Sequence, residues 1–450
     1  MNRMLQTRRG RIIRTALVTQ FYSILVTLGL YGLYRYNRNI QYLKGCFGLV
    51  GIVFFISIIL WVYWSVEHGL KYGFKYAWLH SKMYKSINRA LYDSNFYTER
   101  IVLLKKCAVI PRIKITMNES LDEGVIQIGN SIKLDKRLDE LPISSALLKK
   151  YVLTASYISD DGNDYIYEFE KYGLEQLEFK SYLEFKEYSL KIGEYDIFLD
   201  SRYIVPIFHA LIIGQTGSGK SYCLYNLILQ MISKPTPYEL YIADPKYSGL
   251  FVLGHAINKE RVASSVDEII QLLQVFNERM QTRKEEFSGK LLSKLDSDYR
   301  DFNLTPICLI IDEYSSFRAS LSRYDKKTRD LVDEIIGNVI REGRQLGCFC
   351  IISQQQTNAS NLSTELKENM PFKLILGMAE RQTYITALGQ YPDAAKRRFD
   401  VGQGLLVYPK IATPEIPRIT SVATLDFDIL DAIESIKRNN DIQKERAGGM

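Results

Sequence analysis

Cysteine is scarce in this chain, and acidic residues are scarce near its N-terminus. The six cysteines are scattered through 450 residues, and the one close pair, Cys348 and Cys350, has no second cluster to complete a tetrahedral metal site. This distribution excludes a disulfide scaffold and predicts a reducing compartment for the soluble part of the protein. We expect Cys348 and Cys350 to be small core residues.

Acids are nearly absent from residues 1 to 90, which hold thirteen Lys and Arg against one acid, Glu67. The rest of the chain carries 45 bases against 50 acids. The formal net charge of +7 therefore arises at the N-terminus and does not identify the bulk of the protein as DNA-binding. Ordinary apolar and charged fractions exclude wholesale disorder, and the length allows two or three domains.

Two stretches near the N-terminus lack charge altogether, at residues 15 to 34 and 45 to 66. Each is long enough to cross a bilayer core of about 30 Å as a helix. Basic residues precede the first stretch and follow the second, which predicts a multi-pass protein of the cell membrane with both termini in the cytoplasm. Two alternatives stay open: a signal peptide for the first stretch, although no small-residue cleavage site follows it, and buried helices of a soluble domain.

The region from 91 to about 205 alternates apolar and polar residues over short runs. RIKITMNE, GVIQIGNSIKL and DYIYEFEKYG are typical of strands, and SDDGND is typical of a turn. We predict a small β-rich or mixed domain that connects the membrane region, residues 1 to 90, to the C-terminal half of the chain. Its acids are spread along strand faces, so the region offers no catalytic constellation.

The segment HALIIGQTGSGKSYCLYNLIL, residues 209 to 229, contains the pattern G-x-x-x-x-G-K-[ST] between a predicted strand and a predicted helix. Glycines let such a loop curl so that its N–H groups and the helix N-terminus face phosphate oxygens. Lysine reaches the β- and γ-phosphates, and the hydroxyl after it coordinates Mg²⁺. The pattern predicts a site for ATP and Mg²⁺ formed by Gly214, Gln215, Thr216, Gly217, Ser218, Gly219, Lys220 and Ser221.

A phosphate-binding loop needs an acid at the end of another strand, and PICLIIDEY, residues 306 to 314, supplies two. Asp312 is placed to hold Mg²⁺, and Glu313 to take a proton from the attacking water. Strands and amphipathic helices alternate from 206 to 425, which predicts an α/β domain with a mostly parallel sheet and the nucleotide at its carboxyl edge. A charged tail, residues 426 to 450, is expected to follow.

Several segments of this domain resemble the FtsK/SpoIIIE family of hexameric DNA-pumping ATPases, over about residues 195 to 410. The matching positions, in the family's order, are Pro206 and His209; Asp244-Pro245-Lys246; Met280, Arg283 and the Tyr299 to Asn303 segment; Arg341, Gly343, Arg344 and Gly347; Ser353-Gln354; Asn369 and Pro371; and Gly402, Gly404 and Leu406. The resemblance implies a RecA-like P-loop NTPase fold, ATP hydrolysis that drives DNA translocation, and a homohexamer.

The chain departs from chromosomal members of that family, which carry about four membrane spans and a C-terminal winged-helix domain. With two predicted spans and a short tail, the chain instead resembles in size and layout the coupling proteins of Gram-positive conjugative elements. This resemblance implies relaxase-bound DNA and a type IV secretion channel as partners. Three alternatives remain: a double-stranded DNA pump of chromosome segregation, a protein-secretion ATPase of the type VII kind, and a membrane-anchored scaffold that binds nucleotide without turnover.

The stretch REGRQLGCFCIISQQQ, residues 341 to 356, places polar residues on both sides of a predicted core strand. Arg344, and with weaker support Arg341, is a candidate arginine finger for a neighbouring subunit's ATP, with a surface ion pair as the alternative. Gln354, at the end of the strand, is a candidate contact of the γ-phosphate or the attacking water. Gln355 and Gln356 are expected to be loop residues. Lys246 is expected either to cap a structural acid or to face DNA.

Overall fold

The computed structural model describes residues 21–29, 31, 42–102, 105–131, 141, 143–171, 176–291, 294–356, 362–409 and 411–448. The chain divides into two compact units, Met1–Gly173 and Leu174–Met450.

The first unit contains a long apolar helix, α1 (Tyr42–Glu67). Its segment Val50–Glu67 has a mean hydropathy of 2.0, and this is the one described helix long and apolar enough to cross a membrane. Its large side chains are exposed, Phe55 by 69% and Ile59 by 63%. Residues 21–29 of the other predicted span are helical, but the rest of that span lies mostly outside the described residues, so the two-span hairpin stays a prediction.

The rest of the first unit packs a helix on a small antiparallel sheet. Its elements are α2 (Phe74–Asp93), β1 (Thr98–Val102), β2 (Lys105–Val109), β3 (Ile113–Met117), β4 (Glu123–Gly129), α3 (Ile143–Ala146), β5 (Tyr151–Ile158) and β6 (Asp164–Lys171). The sheet has the order β3-β4-β6-β5. Met83 and Ile87 of α2 share its core with Ile126 and Tyr165. The three strands predicted in this region are confirmed.

The second unit alternates strands with helices. Its elements are β7 (Glu178–Phe179), α4 (Tyr182–Leu190), β8 (Asp196–Phe198), β9 (Ile204–Pro206), β10 (Ala210–Gly214), α5 (Lys220–Ser233), β11 (Glu239–Ala243), α6 (Gly249–Asn258), β12 (Val262–Ala263), α7 (Val266–Leu291), β13 (Ile307–Ile311), α8 (Tyr314–Leu321), α9 (Lys326–Leu346), β14 (Cys348–Gln354), α10 (Thr364–Glu368), β15 (Phe372–Leu376), α11 (Arg381–Leu388), β16 (Gln403–Val407), β17 (Arg418–Ser421), β18 (Thr424–Leu425) and α12 (Ile429–Gly448).

An eight-stranded sheet of order β12-β11-β13-β14-β10-β15-β16-β17 forms the centre of this unit. The strands from β12 to β15 are parallel, whereas β16 is antiparallel to both of its neighbours. Apolar side chains of α5, α6 and α12 cover one face, and those of α7, α8, α9 and α11 cover the other. The predicted α/β fold with a mostly parallel sheet is confirmed.

Helix α9 shows how the local sequence positions a functional side chain. Val332, Ile336 and Val339 lie at helical spacing and are buried. The side chain of Asp325 accepts a hydrogen bond from the N–H of Thr328 at 2.9 Å and begins the helix. Gly347 ends it in the left-handed region, with φ 73°. The last turn of α9, which includes Arg344, therefore leads directly into β14.

The two ends of the second unit differ from the sequence-based boundaries. Its core includes Phe179 and Phe198, from the stretch of 176 to 205 that was assigned to the connecting domain. The tail predicted from 426 to 450 forms α12, and Ala432 and Ile433 are buried in the same core. Both segments carry apolar side chains that the sheet face buries, and β18 pairs with β7 to join them.

A candidate nucleotide-binding site

The phosphate-binding loop, residues 214–221, joins β10 to α5 through two glycines in the left-handed region. Gly217 has φ 82° and Gly219 has φ 94°, where a side chain would be strained. A Cβ on Gly219 would also lie 2.8 Å from the backbone nitrogen of Gly402. That N–H donates to the carbonyl of Ser218 at 2.9 Å. Glycine therefore lets the loop curl against the turn at 402, and the N–H of Ser218 closes the loop by donating to the carbonyl of Gln215 at 3.0 Å.

Lys220 is a buried cation that holds the two acids at the end of β13. Its Nζ donates to Asp312 Oδ1 at 2.6 Å, to Glu313 Oε1 at 3.1 Å and to Ser353 Oγ at 3.2 Å. The three charged side chains are each less than a tenth exposed. Buried charges of this kind depend on one another for compensation. The carboxyl edge of the sheet thus brings together the lysine and the acids that the sequence singled out.

Glu313 is held in a strained conformation by groups from three segments. Its backbone lies in the left-handed region, with φ 46°, which is costly for a residue with a long side chain. Oε1 accepts from Lys220 and from Gln355 Nε2, the latter at 3.0 Å, and Oε2 is bound by Lys246 Nζ at 3.1 Å. A cavity of about 510 Å³ opens beside this carboxylate. It is lined by Gln215, Thr216, Lys246, Glu313, Ser315, Ser316, Gln355 and Gln356.

Asp312 and Ser221 offer the oxygen atoms that the sequence predicts as metal ligands. Oδ1 of Asp312 accepts hydrogen bonds from Lys220 and from Ser353 Oγ. Ser221 follows Lys220 directly and is exposed. A carboxylate and a hydroxyl are hard ligands of the kind that Mg²⁺ binds. The donor set therefore fits the predicted metal, whose remaining ligands would be phosphate oxygens and water.

Gln354 is the last residue of β14 and pairs in register with Ile213, the residue before the phosphate-binding loop. Its side chain is fully buried. Neither its amide oxygen nor its amide nitrogen has a hydrogen-bond partner within the described part of the chain. An unsatisfied amide beside a loop of this kind calls for an explanation, and a bound ligand is one.

Arg344 lies at the opposite edge of the sheet from the loop of its own subunit. It precedes β14, and the six steps from Cys348 to Gln354 along this strand span about 20 Å at ~3.3 Å per residue. Its guanidinium stacks 4.6 Å from the ring centre of Phe208. Glu342, the alternative partner, is bound by Lys284 at 2.6 Å. The structure therefore does not bring Arg344 to the site formed by Lys220, Asp312 and Glu313.

Arg341 has the kind of partner that the alternative interpretation expected. Its Nη1 lies 3.3 Å from Glu365 Oε1, and Nη2 donates to the side chain of Asn338. This surface ion pair accounts for Arg341 without a role at a neighbouring nucleotide.

Three residues contact the site in ways that sequence reasoning missed. Ser353 binds both Lys220 and Asp312, although it was noted only as a substitute for threonine in a motif. Gln355, expected to be a loop residue, donates to Glu313, and Lys246 pairs with the same carboxylate. The position of each at the carboxyl end of a strand was the available signal. Which strands are neighbours could not be known before the fold.

His209 precedes β10 and is buried without charge. Its Nδ1 accepts the N–H of Cys350 at 3.2 Å. Burial, supported by the nearby positive charge of Arg344, lowers the pKa of His209 to about 3. Burial also raises the pKa of the Cys350 thiol to about 12, in agreement with its predicted core role. The imidazole is thus a structural acceptor between β10 and β14.

The low pKa of His209 predicts a loss of stability on acidification. Below the ordinary pKa of 6.5 the unfolded chain binds a proton that the folded chain excludes, so stability falls as pH decreases towards 3. Between pH 7.5 and pH 5 this residue should cost about 2 kcal/mol of unfolding free energy. His209→Asn keeps an acceptor near the position of Nδ1 but does not titrate. Urea midpoints of the purified chain should fall less in the variant than in the wild type, and an equal fall would contradict the assignment.

Parallel strands that end on a phosphate-binding loop and on an Asp-Glu pair occur together in P-loop nucleotide-binding domains. The second unit belongs to this class. The FtsK/SpoIIIE family model matches residues 199–303 of this chain.

Curated relatives and a solved structure agree with this assignment. The FtsK domain-containing protein YdcQ of Bacillus subtilis is 25% identical over 228 residues, which are 50% of this chain and 46% of that protein. A DNA translocase FtsK of Caldanaerobacter subterraneus is 23% identical over 245 residues, 51% of this chain and 32% of that one. The chain thus spans less than half the length of these relatives. The pCW3 conjugation coupling protein TcpA, solved as a monomer with ATPγS, has the same fold, with a TM-score of 0.50, 16% identity and coverage of 79% of this chain and 99% of that chain.

Proposed function

We propose that the chain is a membrane-anchored ATPase that couples ATP hydrolysis to the translocation of DNA. The observation that carries the proposal is the buried cluster of Lys220, Asp312 and Glu313 beneath the phosphate-binding loop. This cluster supplies a cation for the phosphates and two carboxylates for hydrolysis, which a scaffold that only binds nucleotide would not require. Relatives named as DNA translocases support DNA as the substrate.

Hydrolysis begins, in this proposal, with an exchange of partners at Lys220. The β- and γ-phosphates draw its ammonium away from Asp312 and Glu313. Glu313, relieved of one cation, accepts a proton from the attacking water. Gln354, whose buried amide lacks a partner in the described structure, donates to the γ-phosphate or orients that water. Mg²⁺, when bound, offsets phosphate charge, and Ser221 and Asp312 would hold it.

We propose a ring of subunits, and the position of Arg344 supports it. The guanidinium lies against Phe208, before the first residue of β14, so it would serve a nucleotide only in a head-to-tail assembly. We propose the homohexamer that the family resemblance implies. The likeness to a conjugation coupling protein extends the proposal to a role in conjugation, with a relaxase and a type IV secretion channel as partners.

The membrane part of the proposal rests on α1 and on the basic N-terminus. The large apolar side chains of α1 are exposed, and a bilayer would bury those of a helix of this length. The proposed arrangement has two spans, at about 15–34 and 45–66, and both termini in the cytoplasm. Reporter fusions at Asn37 and at the C-terminus test it, because a cytoplasmic reporter signal at Asn37 would contradict two spans.

Nucleotide turnover by the purified full chain in detergent tests the proposal directly. We expect Mg²⁺-dependent ATP hydrolysis that single- or double-stranded DNA accelerates several-fold, with Lys220→Ala as the inactive control. Binding of ATP without turnover would favour the scaffold. ATP hydrolysis that a protein substrate accelerates but DNA does not would favour a protein-secretion ATPase.

A further inference from the structure

We propose that Lys246 restrains Glu313, and that a phosphodiester of DNA releases it. Lys246 is then a positioning residue that couples DNA binding to the rate of hydrolysis. The inference rests on the proposed function and adds to it the contact through which DNA acts on the site.

The restraint is visible in the contacts of the Glu313 carboxylate. Oε1 accepts from Lys220 and Gln355, and Oε2 is bound by Lys246 at 3.1 Å. Nucleotide phosphates compete for Lys220, which belongs to their loop. Among the described residues, Lys246 then remains as the one cation bound to Glu313. The ammonium of Lys246 occupies Oε2 and fixes the orientation of the carboxylate, so Lys246 keeps Glu313 from turning towards the attacking water.

The backbone that carries Lys246 is fixed, which confines the change to its side chain. Asp244 is fully buried at the end of β11 and accepts from the backbone N–H groups of Lys246 at 3.1 Å, Ser248 at 2.7 Å and Phe251 at 3.1 Å. This turn therefore does not need to move for Glu313 to be released. Rotation of the flexible lysine stem, whose side chain is 43% exposed, is sufficient.

The backbone is strained at Glu313 and at Tyr247, the residue that follows Lys246. Tyr247 has φ 56° and Glu313 has φ 46°, and they follow the adjacent strands β11 and β13. Asn and Asp adopt this region readily, but Tyr and Glu do not. Strain of this kind persists where function requires a particular geometry. The ion pair joins the two strained turns.

DNA, rather than the nucleotide, is the ligand that this position favours. Lys220 already serves the nucleotide phosphates, and Lys246 reaches the shared cavity from the turn after β11, a strand that lies three positions from β10 in the sheet. Beside Lys246, the ring of Tyr247 is 67% exposed and stacks on Phe251 with ring centres 4.2 Å apart. A half-exposed cation next to an exposed ring is the combination that binds a phosphate and its base.

Steady-state kinetics of the full chain in detergent, with and without DNA, test the proposal. In Lys246→Gln we expect kcat without DNA to rise about threefold to tenfold, the equivalent of one half-exposed ion pair. The KM for ATP should not change, and stimulation by DNA should shrink by the same factor. Lys246→Arg keeps the cation and should behave as the wild type. Lys396→Gln, which breaks the exposed pair with Asp393, is the matched control and should change neither value.

Two results would overturn the inference. A raised KM for ATP with unchanged stimulation would make Lys246 a nucleotide ligand, and a kcat that stays the same or falls would remove the restraint. A wild type that hydrolyses ATP but ignores DNA would refute the proposed function instead. The kcat of Lys246→Gln without DNA still measures the restraint in that case.

Discussion

Glu313→Gln should lower the kcat for ATP hydrolysis by about 10²- to 10⁴-fold and leave ATP binding intact. Glutamine has the same shape, so the strained turn after β13 can form, but its amide cannot take a proton from water. Lys220 loses one of its two carboxylate partners and becomes more available to the phosphates. The variant should therefore retain ATP at least as tightly as the wild type.

Single-turnover hydrolysis and equilibrium binding of a fluorescent ATP analogue separate these two effects. Glu434→Gln is a suitable control, because Glu434 forms an exposed pair with Arg438 on α12. A kcat within about threefold of the wild type would show that another group takes the proton, since a loss this small is below what general base catalysis contributes.

Arg344→Ala should lower kcat by about 10³-fold if Arg344 acts on a neighbouring subunit's nucleotide. The residue precedes β14, which spans about 20 Å from Cys348 to Gln354, so its effect cannot be exerted on its own site. Arg344→Lys should recover little of the lost kcat, because a point charge does not replace a planar guanidinium. Arg341→Ala should lower kcat by less than about threefold, since Arg341 forms an exposed ion pair with Glu365.

Mixed assemblies distinguish action on a neighbour from damage within one subunit. A Lys220→Ala subunit keeps Arg344 but has no functional nucleotide-binding site. An Arg344→Ala subunit keeps a functional nucleotide-binding site but has no arginine finger. In an equimolar mixture about one head-to-tail interface in four combines the two intact halves. We expect activity to reappear on mixing, and two variants that stay inactive together would contradict an arginine finger.

The local elements of the second unit could be predicted because their signals are local. Apolar runs such as ALII and CFCII form buried strands, and the spacing of Val332, Ile336 and Val339 forms one face of α9. The predicted domain boundaries differ from the structure where two segments that are distant in sequence pack together. Phe179 and Ile433 belong to one core on the same face of the sheet, and nothing in either segment indicates that the two pack together.

The amino-acid sequence by itself determined the phosphate-binding loop, the acids at the end of β13 and the apolar helix α1, because each depends on residues close together in the chain. Tertiary structure decided which side chains meet. It placed β11 beside β13, which brings Lys246 to Glu313, and it placed β14 beside β13, which brings Ser353 to Asp312. It also set Arg344 at the far edge of the sheet from the loop of its own subunit. Strand order depends on packing between distant segments, and this packing is not encoded in any single stretch of the sequence.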